Sequence, residues 1–271
     1  EIYMGDWSSD VCSSDLPGGP PKVLAGSGGF ITQVDVQSGR IDLTTQLTLA
    51  TNGATVVDID LDGTPDVVSG GLSVLDNTLT RVKSSVELDG AGRFVIGNFD
   101  ADPNRELAGD RGIVYEYSAG AFREQARLVL GSTSDVFVAS TDVEGDGIEE
   151  IVYTSSSLFV RTYSLPDRRV VWEYRSQADG LDRGFRPIHA ADVNGDGIRD
   201  VLILQGGFPG ITAYLQALDG RNGTLLWQIP HSEDGDPLSI VVADFDGDGE
   251  REVLFSTTYM EIGRASCRER V

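Results

Sequence analysis

The residues best suited to chemistry in this chain are acidic side chains that recur in five loops of nine residues. In chain order the first to fifth loops are 58–66, 98–106, 142–150, 192–200 and 244–252. Oxygen-bearing side chains stand at positions 1, 3, 5 and 9 of every loop, and position 6 is glycine in four of the five. Several oxygen ligands from one short loop suit a hard cation such as Ca²⁺. The spacing therefore predicts a series of metal sites.

The charge of the chain agrees with cation binding. Its formal net charge is −22, with 43 Asp and Glu against 21 Lys and Arg. Eighteen of those acids stand at positions 1, 3, 5 and 9 of the five loops, where they would repel one another without a cation. A nucleic-acid-binding protein needs a basic surface, so this composition argues against a nucleic-acid partner.

The spacing of the loops predicts the fold. Successive loops begin 40, 44, 50 and 52 residues apart. The third loop is flanked by the strand-like stretches Val136–Thr141 and Ile151–Tyr153, and two further stretches follow it, Leu158–Tyr163 and Val170–Tyr174; the other periods repeat this order. In the second period the fourth stretch is predicted at Ala126–Leu130. Four strands in about 40–50 residues is the pattern of a β-propeller blade.

The sequence thus predicts an all-β fold, a β-propeller of four-stranded antiparallel blades, of which the chain contains about five to six. Residues 22–49 predict a blade without its first strand, and residues 238–260 predict only the opening strands of a last blade. Helical periodicity is absent.

The ligand spacing excludes an EF-hand. An EF-hand loop carries a bidentate Glu at position 12, whereas position 12 of these loops is Ser69, Gly109, Tyr153, Ile203 and Phe255. The acid comes at position 9 instead, and a strand-like run follows it rather than a helix.

These repeats resemble the FG-GAP/VCBS repeat family, calcium-binding β-propellers similar to the head of the integrin α chain. The resemblance covers residues 17–260 and implies several structural Ca²⁺ ions, bound by the side chains at positions 1, 3, 5 and 9 and by the backbone carbonyl at position 7. The implied ligands are Asp58, Asp60, Asp62, Thr64 and Asp66; Asn98, Asp100, Asp102 and Glu106; Asp142, Glu144, Asp146, Ile148 and Glu150; Asp192, Asn194, Asp196, Ile198 and Asp200; and Asp244, Asp246, Asp248, Glu250 and Glu252.

The second loop departs from the pattern at two positions. It has Asn98 at position 1 and Pro103 at position 6, where the other loops have Asp and Gly. If position 6 needs a positive φ, glycine adopts it at little cost and proline, fixed near −65°, cannot. We therefore expect the second loop to be the weakest metal site, or an empty one.

The two ends of the chain differ from the repeats. Residues 1–16 and 261–271 resemble translated sequencing-adapter oligonucleotides and are expected to be extraneous segments without strand alternation. They contain both cysteines, Cys12 and Cys267, so no disulfide or thiol chemistry is expected in the repeats. Residues 17–260 are expected to be part of a larger multidomain chain and contain no run of membrane-spanning length.

No set of catalytic residues emerges from the sequence. His189 lies in a strand-like pattern, His231 opens an acidic loop, and neither a P-loop nor a G-x-S-x-G motif occurs. The segment ALDGRNGTLLW at 217–227 resembles the tryptophan-docking pattern of quinoprotein propellers. Because only this copy matches well, and the one that ends at Trp172 is weaker, Trp227 is interpreted as a residue that packs between blades.

Two functions from different classes remain. The first is a calcium-stabilised binding or adhesion module that presents loops to a protein or glycan partner. The alternative is the propeller of an extracellular enzyme, a polysaccharide lyase or a quinone-dependent oxidoreductase. The lack of a convergent base, nucleophile or phosphate loop favours the first. Calcium affinities of extracellular modules are often only about 10⁻⁴–10⁻³ M, which favours a secreted, periplasmic or cell-surface location. The arginine-containing segment 175–186 is the expected variable surface loop.

Overall fold

The computed structural model describes most of the repeat region. The described residues are 22–27, 30–35, 38, 40–46, 54–69, 73–76, 78–85, 93–128, 138–155, 159–175, 185–205, 213–231, 237–245, 251–257 and 262–266. All regular structure in these ranges is β-strand, and no helix in them is long and apolar enough to cross a membrane.

The strands form six sheets in which neighbouring strands follow chain order. Strands of the first three sheets are β1 (Lys22–Ser27), β2 (Phe30–Asp35) and β3 (Ile41–Gln46); β4 (Ala54–Val57), β5 (Asp66–Ser69), β6 (Ser73–Leu75) and β7 (Val82–Ser85); and β8 (Phe94–Gly97), β9 (Arg105–Gly109), β10 (Ile113–Ser118) and β11 (Ala121–Arg127). Strands of the last three sheets are β12 (Val138–Thr141), β13 (Glu150–Ser155), β14 (Phe159–Ser164) and β15 (Arg169–Arg175); β16 (Phe185–Ala191), β17 (Asp200–Gln205), β18 (Ala213–Leu218) and β19 (Leu225–His231); and β20 (Pro237–Ala243), β21 (Glu252–Thr257) and β22 (Ile262–Ser266).

The predicted fold class is confirmed. The chain is an all-β β-propeller with four complete blades, each a four-stranded antiparallel sheet, and two sheets of three strands. The sheet β1–β2–β3 is the predicted blade without its first strand. Every acidic loop joins the first strand of its sheet to the second, because an apolar run stands on each side of it.

Burial falls from the second strand of a blade to the fourth. All six residues of β17 are buried, which is why this strand reads as the apolar run DVLILQ; a strand covered on both faces has no polar face. The fourth strand β15 is mostly exposed instead, with Trp172 buried between the half-buried Val171 and the exposed Glu173.

A two-residue turn explains the one misplaced strand. The fourth strand of the second period was predicted at Ala126–Leu130, but β11 runs from Ala121 to Arg127. Ala119 and Gly120 both have positive φ, 51° and 77°, and Ser118 pairs with Ala121 across them. A hairpin turn of this kind suits Gly at its second position, so the chain reverses earlier than the apolar residues indicate.

Five residues of the segment 261–271 form a strand, although the sequence of this segment shows no strand alternation. β22 pairs with β21 from Glu252↔Ser266 to Ser256↔Ile262. The free edge of β21 offers backbone N–H and C=O groups that an extended segment can satisfy whatever its side chains are. Residues 1–16 lie outside the described residues.

Contacts divide the chain into two compact units, Glu1–Phe94 with Pro103–Leu128, and Val95–Asp102 with Val129–Val271. In the second unit, apolar residues of neighbouring sheets share one core: Val152 and Trp172 of one blade pack with Val201 and Leu218 of the next. The first unit has its own cluster around the fully buried Val67 and Leu75. A fully buried side chain of this size contributes about 1.5–3 kcal/mol.

Candidate functional site

The carboxylate at position 1 organises the backbone of its loop. In the third loop, Asp142 Oδ1 accepts hydrogen bonds from the N–H groups of Gly145 at 2.6 Å and Asp146 at 3.2 Å, and Oδ2 accepts one from Gly147 at 2.9 Å. Asp192 accepts the corresponding three in the fourth loop, at 2.7, 3.2 and 3.1 Å. One side chain therefore holds each of these loops in the same tight conformation.

Position 6 requires a left-handed backbone. Gly63, Gly147 and Gly197 have φ values of 86°, 88° and 87°, and the N–H of Gly63 donates to Asp58 Oδ2 at 2.9 Å. Glycine adopts this conformation without the steric cost that a Cβ would bring. The predicted need for positive φ at position 6 is thus confirmed in the first, third and fourth loops.

The acid at position 9 is buried where the second strand of the blade begins. Glu150 and Asp200 are 4% and 0% exposed, and Glu252 is 4% exposed. Each accepts a hydrogen bond from the N–H at position 2 of its own loop, with distances of 3.0, 3.1 and 2.8 Å. This bond closes the loop across its ends.

Positions 5 and 7 are also linked. The N–H at position 7 donates to a carboxylate oxygen at position 5 over 2.8–2.9 Å. The pairs are Thr64 with Asp62, Ile148 with Asp146, and Ile198 with Asp196. The Thr64 hydroxyl bonds the same Asp62 oxygen. The carbonyls at position 7 stay predicted ligands.

Three carboxylates converge in two of the loops. In each set, one oxygen from every residue lies within 4.8 Å of the others. The two sets are Asp58, Asp60 and Asp66, and Asp100, Asp102 and Glu106. Within the described ranges, no other three ligand atoms of His, Cys, Asp or Glu are this close.

The carboxylates of the third loop do not converge as closely as those of the first and second loops, and the residue at position 3 explains the difference. The side chain of Glu144 is 53% exposed, and its Oε1 lies 3.6 Å from Nη2 of Arg169. In the fourth loop position 3 is Asn194, whose Nδ2 lies 3.4 Å from Asp200 Oδ1 and whose Oδ1 accepts the N–H of Asp196 at 2.8 Å. Binding a cation with all predicted ligands of the third loop would require Glu144 to turn inward from Arg169.

The electrostatics of the third and fourth loops favour a cation. The pKa of Glu150 is raised to about 6, chiefly by burial and also by the nearby charges of Glu144, Asp142 and Asp146, which together outweigh the lowering effect of the hydrogen bond from Val143. Burial likewise raises the pKa of Asp200 to about 6. Carboxylates that are costly to ionise together are stabilised by a bound positive ion. The oxygen-only donor set matches Ca²⁺ or Mg²⁺ rather than a softer metal.

The second loop lacks the hydrogen bonds made by Asp at position 1 elsewhere. The Asn98 amide is oriented so that both its oxygen and its nitrogen find suitable hydrogen-bond partners. Its Nδ2 then donates to the carbonyls of Asp100 and Asp102, each at 3.0 Å. Pro103 has no N–H to offer at position 6. Three carboxylates of this loop converge nevertheless, and its weakness as a metal site stays a prediction.

The fifth loop is described only at its ends. Asp244 is exposed and Glu252 is buried, with its bond from the Phe245 N–H at 2.8 Å. The predicted ligands Asp246, Asp248 and Glu250 lie outside the described residues.

Acidic loops of the second unit lie side by side. The N–H of Glu149 donates to the carbonyl of Asn98 at 2.7 Å, and the Thr141 hydroxyl donates to the carbonyl of Arg199 at 2.7 Å. An ion pair joins Arg199 to Glu149. Ordering one loop therefore constrains its neighbour.

Trp172 and Trp227 have a structural role. Trp172 Nε1 donates to the carbonyl of Gly220 at 2.8 Å, in the turn of the next blade. A Cβ on Gly223 would stand 2.5 Å from the Trp172 ring, so the small residue lets the ring approach. Trp227 packs against the core cluster around Leu202 and Val253, which confirms its interpretation as a packing residue.

Other sequence candidates contribute little to a site. His189 lies on β16 opposite Leu202, and His231 is the last residue of β19. Arg175 pairs with Glu173, and residues 176–184 of the expected surface loop lie outside the described residues.

Sequence reasoning missed the bases that pair with the loops. Lys83 contacts the first loop, Arg169 the third and Arg221 the fourth, where Arg221 Nη2 lies 3.6 Å from Asp196 Oδ2. They follow the start of their loops by 25, 27 and 29 residues. This repeated interval is a signal that the sequence contains.

Comparison with known proteins supports the repeat and the fold. The profile of the FG-GAP-like repeat matches residues 174–255, which include the fourth and fifth loops. The comparison with curated proteins gives no significant match.

Three solved structures are similar in fold. BBS1N, solved in complex with ARL6DN, has a TM-score of 0.66 and 13% identity over 96% of this chain and 78% of its own. The C-terminal WD40 domain of Sif2 gives 0.60 and 15% over 90% and 66%. The Vibrio cholerae biofilm matrix protein Bap1 gives 0.55 and 16% over 85% of this chain but only 40% of its own. At sequence identities this low, the similarity supports a shared fold and nothing about function.

Proposed function

We propose that this chain is a calcium-stabilised β-propeller module that presents loops to a protein or glycan partner in a secreted, periplasmic or cell-surface protein. The observation that carries the proposal is the repeated design of the loops. A position-1 carboxylate fixes the backbone, while an acid at position 9 is buried at the start of a strand. Such buried, crowded acids are costly without a cation.

When bound, Ca²⁺ would supply positive charge and six to eight oxygen bonds. The residues that would hold it are the predicted ligands of each loop. The loop links the first two strands of a blade, and both ends of it would then be tied to one ion. The ion would stabilise a hairpin in a repeat region that has no cysteine.

The location and the partner are inferred from a structural neighbour, from the chemistry of calcium binding and from the charge of the chain. Bap1 is a biofilm matrix protein, and the FG-GAP-like repeat and modest calcium affinities suit a calcium-rich environment outside the cytosol. The net charge of −22 argues against nucleic acid as the partner. In β-propellers, as in other rigid scaffolds, the binding residues often lie on the loops at the ends of the strands.

Two experiments test the proposal on the full chain. Thermal unfolding is followed in chelator, in 10 mM Ca²⁺ and in 10 mM Mg²⁺, because a ligand of the native state must raise its stability. We expect a higher midpoint in Ca²⁺; equal midpoints in all three conditions would refute calcium stabilisation. Immobilised glycans and extracellular matrix proteins are then screened with Ca²⁺ and with chelator. A binder whose signal survives full removal of Ca²⁺ would contradict a calcium-ordered surface.

A further inference from the structure

We propose that the ammonium group of Lys83 takes the place of Ca²⁺ in the first loop, so that the chain itself supplies the cation of this blade. The inference rests on the proposed function, in which the other loops bind calcium. It divides the five loops into two kinds, and it predicts that removing one side chain creates a calcium site.

The position of Lys83 carries the inference. Its Nζ lies 2.8 Å from Asp60 Oδ2, 2.7 Å from Asp66 Oδ1 and 3.5 Å from Asp62 Oδ2. These residues are positions 3, 9 and 5 of the first loop, three of its four predicted side-chain ligands. The Lys83 side chain is 18% exposed. An ammonium ion thus stands among the carboxylates where a metal ion would be bound.

The Lys83 ammonium group and Ca²⁺ cannot both occupy the first loop. Ca²⁺ needs oxygen atoms at about 2.3–2.6 Å and six to eight of them. Asp60 and Asp66 would have to turn their oxygens from Lys83 to the metal, and the ammonium group would then lie beside a divalent ion in a half-buried site. Like charges this close repel strongly, so Lys83 must leave before Ca²⁺ can enter.

A β-bulge directs Lys83 toward the loop. Val82 pairs with Leu75 and Ser84 with Val74, so Lys83 is the extra, unpaired residue of β7. A bulge changes the direction of a side chain. The fourth strands of the third and fourth complete blades, and the third strand of the first sheet, have a bulge at the corresponding place beside the preceding turn, whereas the bulge of β11 lies near the other end of the strand. The residues at the corresponding bulges are Asp42, Val171 and Leu226, and the bulge residue of β11 is Gln125.

Only the first loop has a base at this bulge among the described sheets. Where the bulge residue is Val171 or Leu226, that position carries no charge, and the bases that contact the third and fourth loops, Arg169 and Arg221, lie 3.6 Å from one acid each. The base is thus a property of one blade rather than of the repeat.

Asp66 differs from the other position-9 acids in the group that its carboxylate contacts. Glu150, Asp200 and Glu252 each accept the N–H of position 2. Asp66 is fully buried, and its Oδ2 has no hydrogen-bond partner in the described part of the chain. Its carboxylate faces Lys83 through Oδ1. The buried charge of Asp66 is therefore balanced by Lys83 where the other acids have backbone support.

The test compares Lys83→Met with Gln125→Met, which places the same side chain at the bulge of the next blade but away from its acidic loop. Calcium binding is counted by isothermal titration of the full chain, and thermal midpoints are measured in chelator and in Ca²⁺. We expect K83M to bind one more Ca²⁺ than the unchanged chain, and its midpoint in chelator to fall by at least about 5 °C because a buried charge loses its partner. Ca²⁺ should restore that loss. Q125M should change neither quantity.

Further outcomes decide between the alternatives. Adding Asp66→Asn to K83M should abolish the additional site; an additional site that survives lies elsewhere and overturns the inference. An unchanged calcium count in K83M overturns it as well, since Lys83 then acts only as an ordinary ion-pair partner. If the unchanged chain binds no Ca²⁺ but K83M does, the proposed function fails while the role of Lys83 stands.

Discussion

Replacing Glu150 by Gln should have opposite effects with and without calcium. Glu150 is 4% exposed, its pKa is raised from 4.5 to about 6, and it accepts the N–H of Val143. A Gln oxygen can accept the same bond without carrying charge. In chelator at pH 7.5 the variant therefore avoids the cost of ionising a buried acid among Asp142, Glu144 and Asp146.

The magnitude follows from the pKa of Glu150. A difference of one in pKa corresponds to about 1.4 kcal/mol, so ionising Glu150 in the folded state costs about 2 kcal/mol. We expect E150Q to be more stable than the unchanged chain by up to about 2 kcal/mol in chelator, or roughly 4–8 °C in midpoint for a chain of this size.

Calcium should remove this advantage. With a dissociation constant of about 10⁻⁴–10⁻³ M, one site at 10 mM Ca²⁺ contributes about 1.4–2.7 kcal/mol, and E150Q should lose most of that gain at the third loop. The assay is urea unfolding at 25 °C in chelator and in 10 mM Ca²⁺.

Two control variants separate the effects. Glu144→Gln removes an exposed predicted ligand, so it should leave stability in chelator nearly unchanged but lose the same calcium gain. Glu124→Gln, outside the loops, should leave the calcium gain intact. If E150Q shifts stability equally in both conditions, Glu150 is not a calcium ligand; if it is less stable than the unchanged chain in chelator, burial of the acid is not a cost.

Three further predictions concern the same loops and their support. Folding raises the pKa values of Glu150 and Asp200 to about 6. In chelator, their contribution to stability is therefore fully present below about pH 4 and is lost as the pH rises through about 6. Urea unfolding across this pH range should show the decline in stability, and the double variant E150Q/D200N should flatten it. Restoring the pattern of the second loop with Asn98→Asp and Pro103→Gly should strengthen calcium binding there, seen as an additional or tighter site in isothermal titration, and no change would mean that position 6 does not limit it. Trp172→Phe keeps an aromatic ring but loses the hydrogen bond to Gly220 and part of the buried indole, so it should destabilise the fold by at least about 1 kcal/mol in urea, with equal loss in Ca²⁺ and chelator.

The sequence was sufficient to predict the blades because their signals are local. The acidic loop, the apolar run after it and the interval between loops all lie within one period, and the second strands such as β17 are buried on both faces. The start of β11 was misplaced because the Ala119–Gly120 turn is set by backbone conformation, which apolar periodicity does not report. β22 was missed because its pairing depends on the free edge of β21 rather than on its own side chains.

The candidate site could be predicted only in part for a similar reason. The spacing indicates which oxygens belong to a loop, but not which way they turn. Glu144 pairs with Arg169 outside the third loop, while Lys83 enters the first. Arg169 stands 25 residues from Glu144 and Lys83 stands 17 to 23 residues from the acids it contacts, and the position of Lys83 depends on a β-bulge. Such contacts are set by sheet register.

Isothermal titration of the full chain with Ca²⁺ tests the central claim most directly. The third, fourth and fifth loops should bind, the first should be filled by Lys83, and the second should be weak. We therefore predict about three Ca²⁺ per chain at millimolar concentration, with the third and fourth sites lost in E150Q and D200N respectively. The assignment of these loops as calcium sites would be contradicted if the titration at millimolar Ca²⁺ gave only the heat of dilution. It would also be contradicted if both variants bound Ca²⁺ as the unchanged chain does.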